Sequence, residues 1–400
     1  MDLILVKRLP LLAFACLFGL TACNSDDDEQ SSTPPRTVSV STYTATDTTP
    51  ISAISQKINY RMPSVNGSET IATAVVFVPK GTAPAGGWPI VAWAHGTTGV
   101  ADVCAPSNSS NLGGVDPIIA QLVTQGYMVV AADYEGLGSA GIHPYLNLAS
   151  QARSIVYAVV AARENVPNAG KRWLSYGHSQ GGHAALGAAQ YANEAIGLDY
   201  LGTVAIAPAS NLGLAISGGT QLAGELLQAG QAASAIGIIA QQITFSAYVT
   251  AGLKQTTSVD YSDVFDAQAA AIVPQVEQRC DVGNLIGADI VRHGNPLTYQ
   301  GLKANFASVP AVANFLSTLS EPATVKLNQP VLIIQGDADT TVPKQLTDKL
   351  VFDMNTLGST VTYQTLSNKD HTSAFTDSLP EVFGFIGERF NPTAVPATAQ

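Results

Sequence analysis

Residues 177–181 read Gly-His-Ser-Gln-Gly, a match to the pattern Gly-x-Ser-x-Gly. A serine hydroxyl is a weak nucleophile until a base takes its proton, so the pattern has chemical meaning only in a particular setting. That setting is present. The pentapeptide ends an apolar stretch, "RWLSYGHS", and opens one of helical period, "QGGHAALGAAQYANEA". A strand that turns abruptly into a helix holds its central serine in a strained backbone conformation with the hydroxyl exposed. Gly177, Gly181 and Gly182 allow strand and helix to approach. Ser179 is therefore the candidate nucleophile. The N–H of Gln180, at the start of the helix, is a candidate oxyanion donor, favoured there by the helix dipole.

A nucleophile elbow is followed in the chain by an acid and then a histidine. Downstream of the elbow helix only His293 and His371 remain. His293 lies in "RHGNP", which reads as a surface turn, and His371 in "SNKDHTSAF", which reads as a loop between the last strand and the last helix. His371 is the expected base. "QGDADTTVP" offers Asp337 and Asp339, of which Asp339 is better placed to face the base. Asp370 adjoins His371 too closely to reach its Nδ1 well. A second oxyanion donor is expected from "HGTTG", at Thr97 or, failing that, Thr98. His95 reads as a strand-end side chain bonded to backbone, and His178 and His183 as packing or helix-surface residues. Asp133, Glu135 and His143 follow a strand that ends near the same edge, with a structural hydrogen-bonding role or substrate contact as the alternatives. No Cys/His or carboxylate cluster has metal-ligand spacing, so neither metal nor cofactor is expected.

These residues need a frame that carries them to one edge. From about residue 38 three β-like stretches come first ("VSVSTYTA", "SQKINYRM" and "TIATAVVFVP"), and after them apolar strands ("PIVAWAHG", "YMVVAADYEG", "RWLSYGHS", "YLGTVAIAPA", "PVLIIQGDAD", "VTYQTLS") alternate with helical stretches such as 148–165 and 379–390. That alternation predicts an α/β fold with a mostly parallel sheet covered on both faces, its leading strands forming an antiparallel edge. Residues 211–320 interrupt it. Between Asn211 and Leu253 the sole charge is Glu225. This insertion reads either as an ordinary packed subdomain or as a cap whose apolar underside receives acyl chains. Residues 38–210 and 321–390 are the two parts of the core, with 391–400 a flexible tail.

The chain of 400 residues has a hydrophobic fraction of 46%, a charged fraction of 12% and a net charge of -11. An acidic balance with no basic stripe argues against a nucleic-acid partner. Its N-terminus has a basic pair, Lys7 and Arg8, a twelve-residue apolar run from Leu9 to Leu20, then Leu20-Thr21-Ala22-Cys23. Residues 1–22 read as a lipoprotein signal, Cys23 as the acylated N-terminus, and 23–37 as an acidic flexible tether. Several acyl chains on Cys23 would anchor the protein stably in a membrane. Asn24 lacks the aspartate expected for inner-membrane retention, so the outer membrane is the preferred location, with simple secretion the alternative. With Cys16 removed and Cys23 acylated, Cys104 and Cys280 remain, as one disulfide or as two buried thiols. A bond between them closes a loop of roughly 175 residues, worth about 5 kcal/mol on a chain-entropy model.

"HGTTG", "CAPS", "DYEGLG" followed by "HPYL", "GHSQGG" and "DADTTVP" together resemble the secretory lipase family of α/β-hydrolases, the lipase A type, over about residues 60 to 390. The resemblance implies a triad of Ser179, Asp339 and His371, an acyl-ester substrate, a helical cap at 211–320, and a disulfide from Cys104 to Cys280 in that cap. Fungal members tend to carry an acidic residue where this chain has Thr97-Thr98. The expected protein is an envelope serine esterase or lipase acting on apolar acyl chains. A peptidase or amidase on the same scaffold, and a non-catalytic surface-binding lipoprotein, are the rivals.

Overall fold

The computed structural model describes residues 36–299 and 301–391. The expected signal, the acylated Cys23, all but the last residues of the tether, and the C-terminal tail lie outside the described residues.

Nine strands form one sheet: β1 (Thr37–Thr42), β2 (Ser52–Pro63), β3 (Glu69–Pro79), β4 (Trp88–Ala94), β5 (Met128–Ala132), β6 (Ala169–His178), β7 (Asp199–Ile206), β8 (Val331–Gly336) and β9 (Val361–Leu366). Their order is β1-β2-β3-β5-β4-β6-β7-β8-β9. The first three strands and the β3–β5 junction are antiparallel, and every pair from β5–β4 to β8–β9 is parallel. The chain thus has an α/β-hydrolase-type sheet with the antiparallel edge expected of its leading strands. The helices are α1 (Asp116–Thr124), α2 (Leu148–Asn165), α3 (Gln180–Gln190), α4 (Leu212–Gln228), α5 (Ala232–Leu253), α6 (Tyr261–Val264), α7 (Ala267–Ala270), α8 (Val282–His293), α9 (Pro310–Asn314), α10 (Lys344–Thr356), α11 (His371–Asp377) and α12 (Leu379–Phe390).

Strand side chains alternate between faces, and the two faces of this sheet receive different helices. Along β4, Ile90, Ala92 and Ala94 join a core with Ile155 and Val159 of α2 and Ala184 of α3. Val91 and Trp93 join the opposite core, with Ile119 and Leu122 of α1 and Val382 and Ile386 of α12. Both faces being covered, the central strands can be apolar at nearly every position.

Helices α4 to α9 lie between β7 and β8 and pack around Ile243, Ala247, Tyr248, Phe265, Ile286 and Phe315, a cluster that also takes in Val100, Tyr145 and Leu146 from the loops after β4 and β5. α5 is long and apolar enough to cross a membrane by length and composition, and 44% of that stretch is buried. Cys104 and Cys280 form a disulfide, Cα to Cα 5.6 Å, linking this helical segment to the loop after β4. Two local expectations need correction. His371 lies not in a loop but at the first position of α11, and His293 closes α8 rather than occupying a turn. The seven residues of α11 are too few to show helical period, and Asp370 starts it as an N-cap, accepting the Ser373 N–H at 2.8 Å.

Candidate active site

Ser179 stands between β6 and α3 with φ 61° and ψ -121°, a conformation unfavourable for a residue with a side chain. Its surroundings hold it there. The Ser179 N–H donates to Ile206 O at 2.8 Å, and its carbonyl accepts from His183 N at 3.1 Å and Ala209 N at 3.2 Å. Glycine is obligatory beside it for space. A Cβ on Gly177 would lie 2.2 Å from Gly181 O, and one on Gly181 would lie 1.9 Å from Ala94 O.

Asp339, on the turn after β8, has a side chain with no solvent exposure. Four donors converge on it. Oδ1 accepts from the N–H of Thr341 (2.8 Å) and Val342 (2.9 Å), and Oδ2 accepts from Gln335 Nε2 (3.0 Å) and His371 Nδ1 (2.7 Å). With Nδ1 bound, Nε2 is the His371 nitrogen left to take a proton. The other two aspartates have separate roles: Asp337 accepts from Asn368 N at 2.6 Å, and Asp370 caps α11. His293 is exposed and bonds Thr298 Oγ1 at 2.9 Å.

Ser179, His371, Gly96 and Thr97 line one cavity, with Asp339 behind the histidine. Among the described residues, none accepts a hydrogen bond from the N–H of Thr97 or of Gln180. Both donors are therefore available to a ligand in that cavity, one of them at a helix N-terminus. Gln241, Phe245 and Thr341 also wall a second cavity, about 790 Å³ including its mouth, bounded by Leu212, Ile216, Val249 and Leu316.

The chain has six histidines, and of the four nearest the elbow besides His371, three are buried and His178 is half-buried, each with its own partners. His178 donates from Nε2 to His371 O at 3.0 Å and stacks on Phe375 at 4.7 Å. Burial, and then the neighbouring His371, lower its pKa to about 3. His183, wholly buried, packs rather than facing the surface, with Nδ1 2.6 Å from Gln151 Oε1; burial lowers its pKa to about 4. His95 stacks on Tyr134 at 4.1 Å with its ring nitrogens on the carbonyls of Gly96 and Asp133. His143 is buried, with its pKa lowered by that burial to about 3, and bonds Gln180. Asp133 and Glu135 are buried too. Asp133 accepts from Thr73 Oγ1 and Ser107 N, and Glu135 from Ser64 Oγ and Ser150 Oγ. Sequence reasoning did not single out Tyr145, Phe245 or Phe375 for this site, and of the three only Tyr145 carried a signal, as part of "HPYL".

Sheet, elbow and cavity define an α/β-hydrolase. The family model for secretory lipases matches residues 105–397, and the chain belongs to that family. Membership places it among hydrolases acting on esters, in a family of secreted proteins. Several solved structures share the fold. Candida antarctica lipase A in its closed state is 18% identical, with a TM-score of 0.66 over 90% of this chain and 83% of its own. A ligand-bound form of the rice cell wall degrading esterase LipA from Xanthomonas oryzae is 20% identical, with a TM-score of 0.64 over 89% and 97%. A chain from Legionella pneumophila subsp. pneumophila, 19% identical, reaches 0.70 over 90% and 100%. No curated protein matches the sequence.

Proposed function

We propose that the protein hydrolyses carboxylic esters of apolar acyl chains through Ser179, His371 and Asp339. The observation that carries this reading is the 2.7 Å bond from His371 Nδ1 to Asp339 Oδ2 in a cavity whose wall also presents Ser179. Ser179 Oγ attacks the ester carbonyl carbon as His371 Nε2 takes the hydroxyl proton. The carbonyl π electrons move to oxygen, and the resulting oxyanion faces the N–H groups of Thr97 and Gln180. Collapse of this adduct breaks the bond to the alcohol, which leaves with the proton from His371 and gives an acyl-enzyme. Water, deprotonated by the same nitrogen, then releases the acid. Asp339 holds the histidine tautomer and stabilises the imidazolium formed in both steps.

Residues 211–320 act as a cap in this reading, and its apolar cavity lodges the acyl chain. The wall of that cavity is nearly free of charge, which favours hydrocarbon over sugar or peptide. Cys23 carries the lipid that tethers the enzyme to the outer membrane, with residues 1–22 removed. Fractionation that found the protein soluble and unacylated would remove the anchor from this account.

Hydrolysis of p-nitrophenyl esters from acetate to palmitate, beside Ser179→Ala, tests the reading. Loss of roughly 10⁵-fold or more of kcat in the variant is expected. Retention of turnover by Ser179→Ala would overturn the assignment. The acyl length of highest kcat/KM separates a lipase-like from a short-chain esterase specificity.

A further inference from the structure

The tripeptide His143-Pro144-Tyr145 touches both halves of the oxyanion pocket. His143 Nδ1 donates to Glu135 O at 2.9 Å, which leaves Nε2 as an acceptor. The Gln180 side-chain amide donates to that Nε2 at 2.8 Å, and Gln151 Nε2 approaches it at 3.3 Å. Gln180 is 1% exposed, and its Oε1 has no partner among the described residues. His143 is thus what fixes the side chain of the residue whose backbone N–H follows the nucleophile. Two residues on, the Tyr145 hydroxyl meets Thr97 Oγ1 at 2.9 Å. Thr97 is the other oxyanion residue.

The tripeptide is itself held rigidly. The His143 N–H donates to Val100 O at 2.9 Å, and Ile142 bridges to Ala101, so the segment lies along the loop that supplies Thr97. Tyr134 stacks on His143 with ring centroids 5.5 Å apart and on His95 at 4.1 Å, and donates from its hydroxyl to His95 O at 2.9 Å. From the other side comes the helical segment. A Cβ on Gly252 of α5 would lie 3.0 Å from Pro144 Cα, and Tyr145 packs on Tyr248 and Phe245 of α5 at 5.3 and 5.9 Å.

We infer that His143 and Tyr145 are positioning residues for the oxyanion pocket, His143 through the Gln180 side chain and Tyr145 through Thr97, and that through them α5 sets the spacing of the two donors. This inference rests on the proposed function. Neither residue touches the reacting atoms. The Tyr145 ring also lines the apolar cavity, and Tyr145→Phe retains it; through the bonds to Gln180 and Thr97 the two residues act on transition-state stabilisation, because the donors are aimed at charge that develops only as the tetrahedral adduct forms.

The test uses the full-length protein with p-nitrophenyl butyrate as substrate and phenylboronic acid as the probe of the tetrahedral state. Tyr145→Phe keeps the ring on α5 and removes only the hydroxyl. Gln180→Leu and His143→Phe, alone and together, interrogate the other arm. Each single variant is expected to lower kcat by about tenfold to a hundredfold with KM within about twofold, and to weaken phenylboronic acid by the same factor. The double variant is expected to be no worse than the weaker single, since both act through one bond. Losses that multiply, an unchanged kcat, or a kcat loss without weaker boronate binding would overturn the inference. Should the His143 variant fail to fold, Tyr145→Phe and Gln180→Leu decide it alone. Ser179→Ala separates the levels: activity there removes the proposed function, whereas an inactive Ser179→Ala beside a fully active Tyr145→Phe and Gln180→Leu removes only this inference.

Discussion

Helices α3 and α4 are both built largely from glycine, alanine and leucine, yet they use those residues in opposite ways. Nine of the eleven residues of α3 are buried, against one, Ala223, of the seventeen in α4. In α3 glycine is a steric requirement, because Gly181 sits where a Cβ would meet the Ala94 carbonyl oxygen at 1.9 Å. In α4 it meets no such limit. Gly213, Gly218 and Gly224 have nothing within 4 Å of where a Cβ would be, and at Gly219 the nearest atom is the end of the flexible Gln242 side chain. The same residue type marks the tightest approach of strand to helix beside the elbow and exposed helix backbone in α4. Composition alone does not distinguish them; what faces the absent side chain does.

Identical substitutions should therefore diverge. Gly181→Ala places a methyl against backbone that cannot move aside, and a cost above about 4 kcal/mol is expected, enough to abolish cooperative folding. A urea midpoint close to the parent's would break the contrast at its strongest point. Next in size is Asp339→Asn, which keeps the packing and alters the tautomer that His371 presents. A kcat drop of about 10⁴-fold, with the fold intact by circular dichroism, is expected; a drop under tenfold would hand the acid's role to another group. The disulfide is the covalent tie between the two regions. Cys104→Ser with Cys280→Ser should lower stability by up to about 5 kcal/mol on the chain-entropy model, read as a lower melting temperature. An unchanged melting temperature would mean that the helical segment and the sheet hold together without it.

The parts of this contrast that were legible in the sequence were the local ones. The elbow could be read because strand, turn and helix are contiguous, and α2 and α12 coincide with the stretches 148–165 and 379–390 because each is long enough to show its period. The sequence singles out His371 as a candidate base but not its helix, since the seven residues of α11 carry too little pattern. The pairing of Asp339 with His371 spans 32 residues, and the sequence points to it through the order of the triad in such folds, the place of Asp339 in its turn and the family resemblance. The bonds from Gln180 to His143 and from Tyr145 to Thr97 span 37 and 48 residues, and no local pattern encodes them. A buried hydrogen bond between distant loops is created by tertiary packing, so it is visible only once the strands that carry both loops are in register.

Three histidines packed around the elbow make the fold sensitive to acid. His143 and His178, with pKa lowered to about 3, and His183, lowered to about 4, are neutral in the folded chain, while an unfolded histidine titrates near 6.5. Between these values the unfolded chain binds more protons. Stability is therefore full above about pH 6.5 and falls as pH drops below it, on the order of 1 kcal/mol per pH unit for each imidazole. The window from pH 6.5 to 5 lies above the titration of the carboxylates whose pKa is lowered by hydrogen bonds and ion pairs. Urea midpoints at those two pH values should differ, and a flat profile would refute neutral burial.

The smallest effect is the sharpest test of the comparison, because it predicts a sign. Gly224 lies inside α4 with open space where a Cβ would project, so Gly224→Ala meets no neighbour and restricts the unfolded chain. A gain of about 0.5–1 kcal/mol in local helix stability is expected. Global unfolding is set by the core and need not report it, whereas hydrogen exchange of α4 amides reads local opening directly. Slower exchange over residues 212–228, with exchange in α3 unchanged, is the expected result. Faster exchange would show that α4 needs its glycine as α3 does, for a close approach to a neighbour.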